Sequence, residues 1–366
     1  MKITKVEPIR LAIPYEHGAP KPGLDGMIGT RTTQGAVYIR VETDEGITGW
    51  GEGFGFAACS VTHAAVTRAV APLAVGRDPT DISGLMDDLQ RGMKNMARNG
   101  PVGFALSGLD IALWDIAGKI AGKPIHALLG GAVKTHIPTY ASLLRLNTPE
   151  HVIKVCADAL ARGYRHIKLH ERTVEAVSAA RAAIGPDIPL MLDTNCQWDL
   201  DQALDMARRL RPYNLAWLEE PIFPPDDFEA LAELRREAGI PIAAGENLGN
   251  LMDVRHIIAA EAVDVVQPDV AKMGGITEIV KALSLAEAAG VEAEPHSPLY
   301  GPALIATLHV LATMKRDSLC EFYYADLEAN PIGDIATPRD GYLNVPTGPG
   351  LGIEVDETLL ARYRVE

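Results

Sequence analysis

Cysteine is scarce in this 366-residue chain: Cys59, Cys156, Cys196 and Cys320 stand far apart with no paired spacing. That spacing suggests neither a disulfide framework nor a zinc knuckle, so reduced thiols are expected. Basic charge is also short, with 34 Lys and Arg against 48 Asp and Glu and a net charge of −14. A nucleic-acid partner would want clustered Lys and Arg, and none is expected. Long apolar runs are missing as well. No stretch of about 18 apolar residues occurs, and the opening segment MKITKVEPIRLAIP alternates polar and apolar residues without the apolar core of a signal peptide. A cytoplasmic protein with no membrane partner is the expectation. What is present, 47% hydrophobic and 22% charged residues, is an ordinary globular composition with length enough for one large domain and a smaller one.

The first 55 residues read as antiparallel strands. KITKVEPIRLAI and GAVYIRVETDEGITGWGE alternate, and Asp44, Glu45 and Gly46 supply the turn chemistry inside the second run. Between them, residues 15–32, YEHGAPKPGLDGMIGTRT, form a Gly- and Pro-rich segment long enough to be read as a lid. Helical patterns follow and end with GFALSGLDIALWDIAGKIAGKP, where Gly122 and Pro124 provide a stop. Residues 1–125 are therefore expected to form a small α+β unit.

From residue 136 the pattern becomes a beat of short apolar strands and amphipathic helices. Strands are expected to begin near His136, His166, Pro189, Leu215, Pro241, Val263, Val291 and Leu319. Eight such units favour a parallel α/β barrel over an open sheet, here spanning 126–340. The tail, 341–366, is extended and turn-rich and is expected to return to the first unit.

In a parallel barrel the reacting groups sit at the C-terminal ends of the strands. Those positions are polar here. LMLDTN ends in Asp193 and Asn195, AWLEEP in Glu219 and Glu220, and IAAGEN in Glu246. The steps from 193 to 219 and from 219 to 246 are one βα unit each, which brings three carboxylates to neighbouring points of one rim. A single acid at such a place is more often a helix cap; three in the same register point to a cation among them, Mg²⁺ first and Mn²⁺ next, because all donors are oxygens.

VVQPD then supplies Asp269, and EAEPH supplies His296 one unit on. A carboxylate on one ring nitrogen fixes the tautomer and raises the basicity of the other, as a proton-abstracting histidine requires. In HIKLHERT, Lys168 and His170 share one side of a strand and Leu169 faces away. They lie across the acids from Asp269 and His296, either as reacting groups or as neutralisers. Glu321, in LCEFYY, is a substrate-carboxylate contact or an ordinary rim acid. A metal that chelates a carboxylate makes the adjacent carbon acidic, so the constellation points to proton abstraction α to a carboxylate.

ALSGLDIALWDIAGK, LDTN, WLEEP, AAGEN, QPDVAKMGG and PHSP together resemble the mandelate racemase-like group of the enolase superfamily, in the mandelate racemase/muconate lactonizing enzyme family, over essentially the whole chain. The resemblance implies a modified (β/α)₇β TIM-type barrel under an α+β capping domain. It implies one Mg²⁺ per subunit held by Asp193, Glu219 and Glu246, a general-base dyad of Asp269 and His296, and Glu321 hydrogen-bonded to the substrate carboxylate. Relatives that lactonise muconate carry lysine where Asp269 stands. The group usually has Lys-x-Lys where this chain has Lys168 and His170, and histidine, with a free pKa of about 6.5, serves as an acid or base without the depression lysine needs. The implied activity is dehydration of an acid sugar (aldonate or aldarate) to a 2-keto-3-deoxy acid. The alternatives are racemisation or epimerisation of a hydroxy or amino acid, and lactone cycloisomerisation. Substrate contacts are expected from Asn195, from Tyr15, His17 and Lys21 of the lid, from Phe54 and Phe56 in a second loop, and from Ser142 and Tyr140 on the first barrel strand. A homo-oligomer is implied by resemblance alone.

Overall fold

A computed structural model describes residues 1–20 and 32–366 of the chain. Strands β1 (Ile3–Glu16), β2 (Thr33–Thr43) and β3 (Thr48–Gly53) form the expected antiparallel sheet. Both faces are buried, and the two-residue period of a strand decides which side chain goes where. Ile39 and Val41 pack into the core of the capping helices, whereas Ala36, Tyr38 and Trp50 belong to the large core shared with the barrel.

The GWGEG stretch of β3 has a packing reason. A Cβ at Gly49 would stand 2.3 Å from the carbonyl oxygen of Ala112, and one at Gly51 would stand 1.9 Å from that of Gly108. Both glycines therefore let the helix Pro101–Ala121 lie directly on the strand. That helix starts with Pro101 after Gly100 and stops at Gly122, whose left-handed φ of 62° closes it. Its Asp110 and Trp114 reach Thr277 on the barrel helix Gly275–Ala289, with Asp110 accepting from the Thr277 amide at 3.0 Å and Trp114 donating to its hydroxyl at 2.9 Å. Cap and barrel are thus joined by partly buried polar contacts as well as by apolar packing.

Eight parallel strands follow: β4 (His136–Leu143), β5 (Ile167–Leu169), β6 (Leu190–Asp193), β7 (Leu215–Glu219), β8 (Ile242–Ala244), β9 (Val265–Val266), β10 (Glu292–Ala293) and β11 (Cys320–Tyr324). Their order is β10-β9-β8-β7-β6-β5-β4-β11, with helices between successive strands, as in a modified (β/α)₇β barrel. Where β10 meets β11, side chains carry the seam: Glu294 accepts from the Leu319 amide at 2.8 Å, and Glu321 accepts from the Ser297 amide at 3.0 Å. Inward-facing Tyr140, Met191, Trp217, Ala243 and Val265 fill the interior below the rim, which is therefore a packed floor and not a pore.

Two short strands and a helix complete the chain. β12 (Asp326–Leu327) pairs with β1 at Tyr15 and Glu16, and β13 (Tyr342–Asn344) runs antiparallel to β4. After the helix Glu357–Tyr363, Arg364 bridges to Leu11 of β1. The pairing with β12 explains why β1 runs through Tyr15 and Glu16, which sequence reading places in the lid. No helix among the described residues is long and apolar enough to cross a membrane.

Glu52 of β3 is buried where cap meets barrel and accepts from the Ala303 amide at 3.1 Å, at the start of the helix Pro302–Thr313. Burial, reinforced by the nearby Asp269, raises its pKa to about 8, although the helix amides at Ala303 and Gly301 oppose the rise. The folded chain therefore holds a proton that the unfolded chain gives up above its ordinary pKa, so this contribution to stability is complete below about pH 4.5 and is lost as pH rises through about 8. Glu52→Gln should flatten the decline in stability between pH 5 and 9, an effect on the order of several kcal/mol at about 1.4 kcal/mol per unit. Urea melts of both proteins across that range test it, and parallel curves would refute it.

Candidate active site

The acids that sequence spacing selects meet at the C-terminal rim. Asp193 and Glu219 are the last residues of β6 and β7, and Glu246 lies just past β8. The turn between β8 and Glu246 is made by Gly245, whose φ is 141° and whose Cβ would stand 2.7 Å from the Gln267 amide nitrogen. Only glycine lets this backbone pass so close to its neighbour. One oxygen from each of Asp193, Glu219 and Glu246 lies within 4.8 Å of the others.

These donors fit a hard divalent cation. All three are carboxylates, and each is oriented by a further contact, as ligand sets usually are. Glu219 takes Lys168 Nζ on Oε1 at 2.6 Å and both Trp217 Nε1 at 2.7 Å and Gln267 Nε2 at 2.9 Å on Oε2. Asp193 accepts from the Asn195 amide at 2.8 Å and from its side-chain Nδ2 at 3.1 Å. Lys272 holds Glu246 Oε1 at 3.2 Å.

His170 and His296 flank the cluster on opposite sides. His170 Nδ1 lies 2.6 Å from the carbonyl oxygen of Leu143, which can only accept, so Nδ1 carries the proton and Nε2 faces Asp193 Oδ2 at 3.1 Å. His296 Nδ1 pairs with Asp269 Oδ2 at 2.6 Å, and its Nε2 lies 2.8 Å from Glu246 Oε2 and 3.6 Å from Glu321 Oε2. Asp269 is held in turn by the Ala271 amide at 2.6 Å, and an Asp269–His296 bridge extends the β9–β10 ladder to the rim. Burial works against charge on both rings, yet Asp193 raises the pKa of His170, and Glu246 and Glu321 raise that of His296 well above the usual range.

Lys168 is fully buried, 2.6 Å from Glu219, 2.9 Å from Glu321 and 3.7 Å from Asp193. Burial alone would neutralise it; the surrounding carboxylates, Glu219 first, instead lift its pKa well above the ordinary lysine value. Glu321 shows the converse. Burial opposes its charge, but Lys168 and His296 hold its carboxyl down to about 2.

A cavity of about 230 Å³ opens over this floor, lined by Phe54, Phe56, His170, Asn195, Glu246, His296, Pro298, Glu321 and Tyr323. A larger open cleft of about 690 Å³ around Asp226, Asp253 and His256 lies to one side and lacks these converging groups. Of the substrate contacts expected from sequence, Asn195, Phe54 and Phe56 line the cavity. Ser142 does not; its buried hydroxyl donates to Glu321 Oε1 at 2.7 Å. Tyr140 lies in the barrel floor, with Lys168 Nζ 5.5 Å above its ring. Tyr15 and His17 are buried beside one another, their rings 5.8 Å apart, and are not among the lining residues. Lys21 lies outside the described residues.

Sequence reasoning missed three contributors. Lys272 follows Asp269 by three residues, and its Nζ sits 4.3 Å over the Phe54 ring while it holds Glu246. The backbone is tied at the same place, where the Phe54 amide donates to the Ala271 carbonyl at 3.2 Å. Glu220, read only as a neighbour of Glu219, turns away at a φ of 43° and accepts from Asn247 Nδ2 at 2.8 Å and Cys196 Sγ at 3.3 Å. Burial, then Glu246 and Asp193, push its pKa well up. Tyr323 enters the cavity two residues after Glu321, and the two-residue period of β11 was the available signal.

Comparisons with known proteins agree with this geometry. Residues 17–130 match the model of the mandelate racemase/muconate lactonizing enzyme N-terminal domain, and residues 151–359 match that of the enolase C-terminal domain-like family. D-galactonate dehydratase from Ralstonia pickettii (strain 12J) is 34% identical over 348 residues, covering 88% of this chain and 90% of that one. D-galactarolactone cycloisomerase from Agrobacterium fabrum is 32% identical over 351 residues, covering 90% and 91%. A mandelate racemase/muconate lactonizing protein from Paracoccus denitrificans PD1222, solved with magnesium, superposes with a TM-score of 0.88 at 29% identity, covering 100% of this chain and 98% of that one. With both domains matched and a full-length fold shared, the chain belongs to the mandelate racemase/muconate lactonizing enzyme family of the enolase superfamily.

Proposed function

We propose that the protein dehydrates an acid sugar, removing the proton α to the carboxylate and the hydroxyl on the next carbon to leave a 2-keto-3-deoxy acid. The observation that carries the reading is the pair of imidazoles on opposite sides of the acid cluster. Each has its Nδ1 occupied, by Leu143 O or by Asp269, and its Nε2 turned toward the cluster. Loss of water needs one group to take a proton from carbon and another to give one to the departing hydroxyl, and two such nitrogens are in place. The D-galactonate dehydratase of Ralstonia pickettii supports the same reaction class.

Asp193, Glu219 and Glu246 are the residues that would hold Mg²⁺, or Mn²⁺, one per subunit. The ion, when bound, stabilises the negative charge that develops on the substrate carboxylate as the α-proton leaves. Lys168, buried and cationic, adds charge stabilisation from this chain, and Glu321, taking up a proton when the substrate's like charge arrives beside it, donates to and orients the substrate carboxylate while Ser142 and the Ser297 amide fix its own position. Asp269 keeps His296 in the tautomer whose Nε2 accepts the proton. His170 assists from the other side. A homo-oligomer belongs to the same proposal and rests on the family resemblance; a cytoplasmic location belongs to it too and rests on the opening segment's lack of a signal-peptide apolar core.

The test is a Mg²⁺-supplemented screen of the purified protein against mono- and diacid sugars, with 2-keto-3-deoxy products detected as semicarbazones. A hit that vanishes with EDTA is the expected result. Cycloisomerisation is the second reading, favoured by the similarity to D-galactarolactone cycloisomerase. Conversion of an acid-sugar lactone into an isomeric product, with no water lost and no turnover of the open-chain acid, would move the assignment there.

A further inference from the structure

We propose that Lys272 is a positioning residue for the metal site: seated against the ring of Phe54 from the cap, it fixes the carboxylate of Glu246, so that affinity for the divalent cation is set in part by the cap. The inference rests on the reading of Asp193, Glu219 and Glu246 as the cation's ligands and concerns what holds the third of them.

The three acids are not equally constrained. Asp193 and Glu219 end β6 and β7, where they are paired in the strand ladder, and their side chains are 1% and 0% exposed. Glu246 lies past the end of β8, after the turn at Gly245, and its side chain is 13% exposed. A residue beyond its strand is aimed by side-chain contacts. For Glu246 these are Lys272 on Oε1 at 3.2 Å and His296 on Oε2 at 2.8 Å. His296 has a proton to carry, which leaves Lys272 as the lasting support.

Lys272 is itself tied to both domains. Its amide donates to the Asp269 carbonyl at 3.2 Å, closing the turn that follows the dyad residue, and the Phe54 amide donates to the carbonyl of neighbouring Ala271 at 3.2 Å. The Phe54 ring centroid lies 4.3 Å from Nζ, and that ring is met edge-on at 5.3 Å by Phe104 of the cap helix Pro101–Ala121. The lysine side chain is only 6% exposed. An ammonium group so deeply buried is costly unless its charge is met. Here a carboxylate meets it on one side, and the negative face of a ring meets it on the other.

Such a support acts on metal affinity in two opposing ways. Its positive charge repels the ion, whereas holding the carboxylate in place removes the cost of ordering it when the ion binds. Glu246, Asp269 and Glu220 all act on the Lys272 charge. Its field at the ion is therefore largely offset, and ordering decides. The coupling is reciprocal: an ion on Glu246 steadies Lys272, and through it the cap loop that brings Phe54 to the cavity.

Mn²⁺ titrations followed by electron paramagnetic resonance read affinity without turnover, on the full-length wild type and on variants whose folding is checked by urea melts. Lys272→Met should raise the Mn²⁺ Kd by about 10- to 100-fold, the usual loss when a ligand's supporting contact is removed. Lys272→Arg, which keeps the charge, a donor and the ring contact, should recover most of that loss. Phe54→Leu keeps apolar bulk without the ring face, and should raise Kd by about 3- to 10-fold in the wild-type background. On top of Lys272→Met it should add less than about twofold, because the ring acts through the lysine. An unchanged Kd in Lys272→Met overturns the inference, and so does a lower one, which would make charge repulsion the lysine's contribution. A Phe54→Leu effect of equal size in both backgrounds overturns it as well. Should Lys272→Met fail to fold, Phe54→Leu decides alone, an unchanged Kd overturning the inference. Wild type that binds no Mn²⁺ brings down the metal-site reading and the inference with it; wild type that binds Mn²⁺ beside variants that bind it as tightly removes the inference alone.

Discussion

His296→Asn is expected to lower kcat by about 10³-fold or more, near the upper range for loss of a positioned acid or base, while the protein still folds and still binds Mn²⁺. Asparagine can donate to Asp269 Oδ2 from nearly the place of His296 Nδ1, so the buried carboxylate keeps a partner. What vanishes is Nε2, which lies 2.8 Å from Glu246 and 3.6 Å from Glu321, at the edge of the cavity where a substrate α-carbon would sit. Asp269→Asn makes a finer test. Its amide can present an NH₂ to His296 Nδ1 and so favour the wrong tautomer, an effect worth up to about 10⁴-fold in a comparable dyad. A direct product assay and Mn²⁺ binding by electron paramagnetic resonance check both variants. A His296→Asn protein within about tenfold of wild type would remove His296 from the acid–base role.

How far these residues could be read from sequence depended on the range of the interaction. The βα repeat fixes strand ends at nearly constant intervals, so Asp193, Glu219 and Glu246 could be placed on one rim from their spacing, and Asp269 and His296 next to one another in the same way. Local strand periodicity likewise put Lys168 and His170 on one side. Contacts that depend on how far a side chain reaches were not legible. Lys272 touches Glu246 across 26 positions, and Ser142 reaches Glu321 across 179, toward a strand that closes beside β4 only because the barrel curls. Long-range pairing also explains Tyr15, which a Gly- and Pro-rich neighbourhood marks as loop but which pairs with Leu327 as strand in the capping sheet. Phe56 shows the limit most plainly, since no local pattern announces a phenylalanine in the left-handed region.

Lys168→Met should unfold the metal-free protein more easily by about 3 to 5 kcal/mol at neutral pH, the usual cost of removing one partner from a buried ionic group. Methionine fills much of the space, so the loss comes from charge. Glu219, Glu321 and Asp193 would be left around a thioether, and of these Glu219 retains only neutral donors, Trp217 and Gln267. The pH dependence has a definite sign. Glu321 is depressed in the folded wild-type protein, to about 2, so its contribution to stability is present above the ordinary carboxyl value near 4.5 and fades as pH falls toward about 2. In the variant the largest force behind that depression is gone and His296 is the charge left to oppose burial, so the gap between the two proteins should be widest near pH 7 and narrow as pH falls below about 4.5, where the unfolded chain takes up its protons while wild-type Glu321 stays ionised. Urea melts in EDTA at pH 7 and at pH 4 measure the gap directly. Saturating Mg²⁺ should recover part of the loss at pH 7, because an ion that binds only the folded state adds stability in proportion to the logarithm of its concentration over its Kd. Equal gaps at both pH values would mean that packing, and not the cation, is what Lys168 contributes to the fold. Activity separates the two roles again: a Lys168→Met protein refolded by Mg²⁺ but still inactive places the ammonium group in the chemistry, where the developing carboxylate charge needs it.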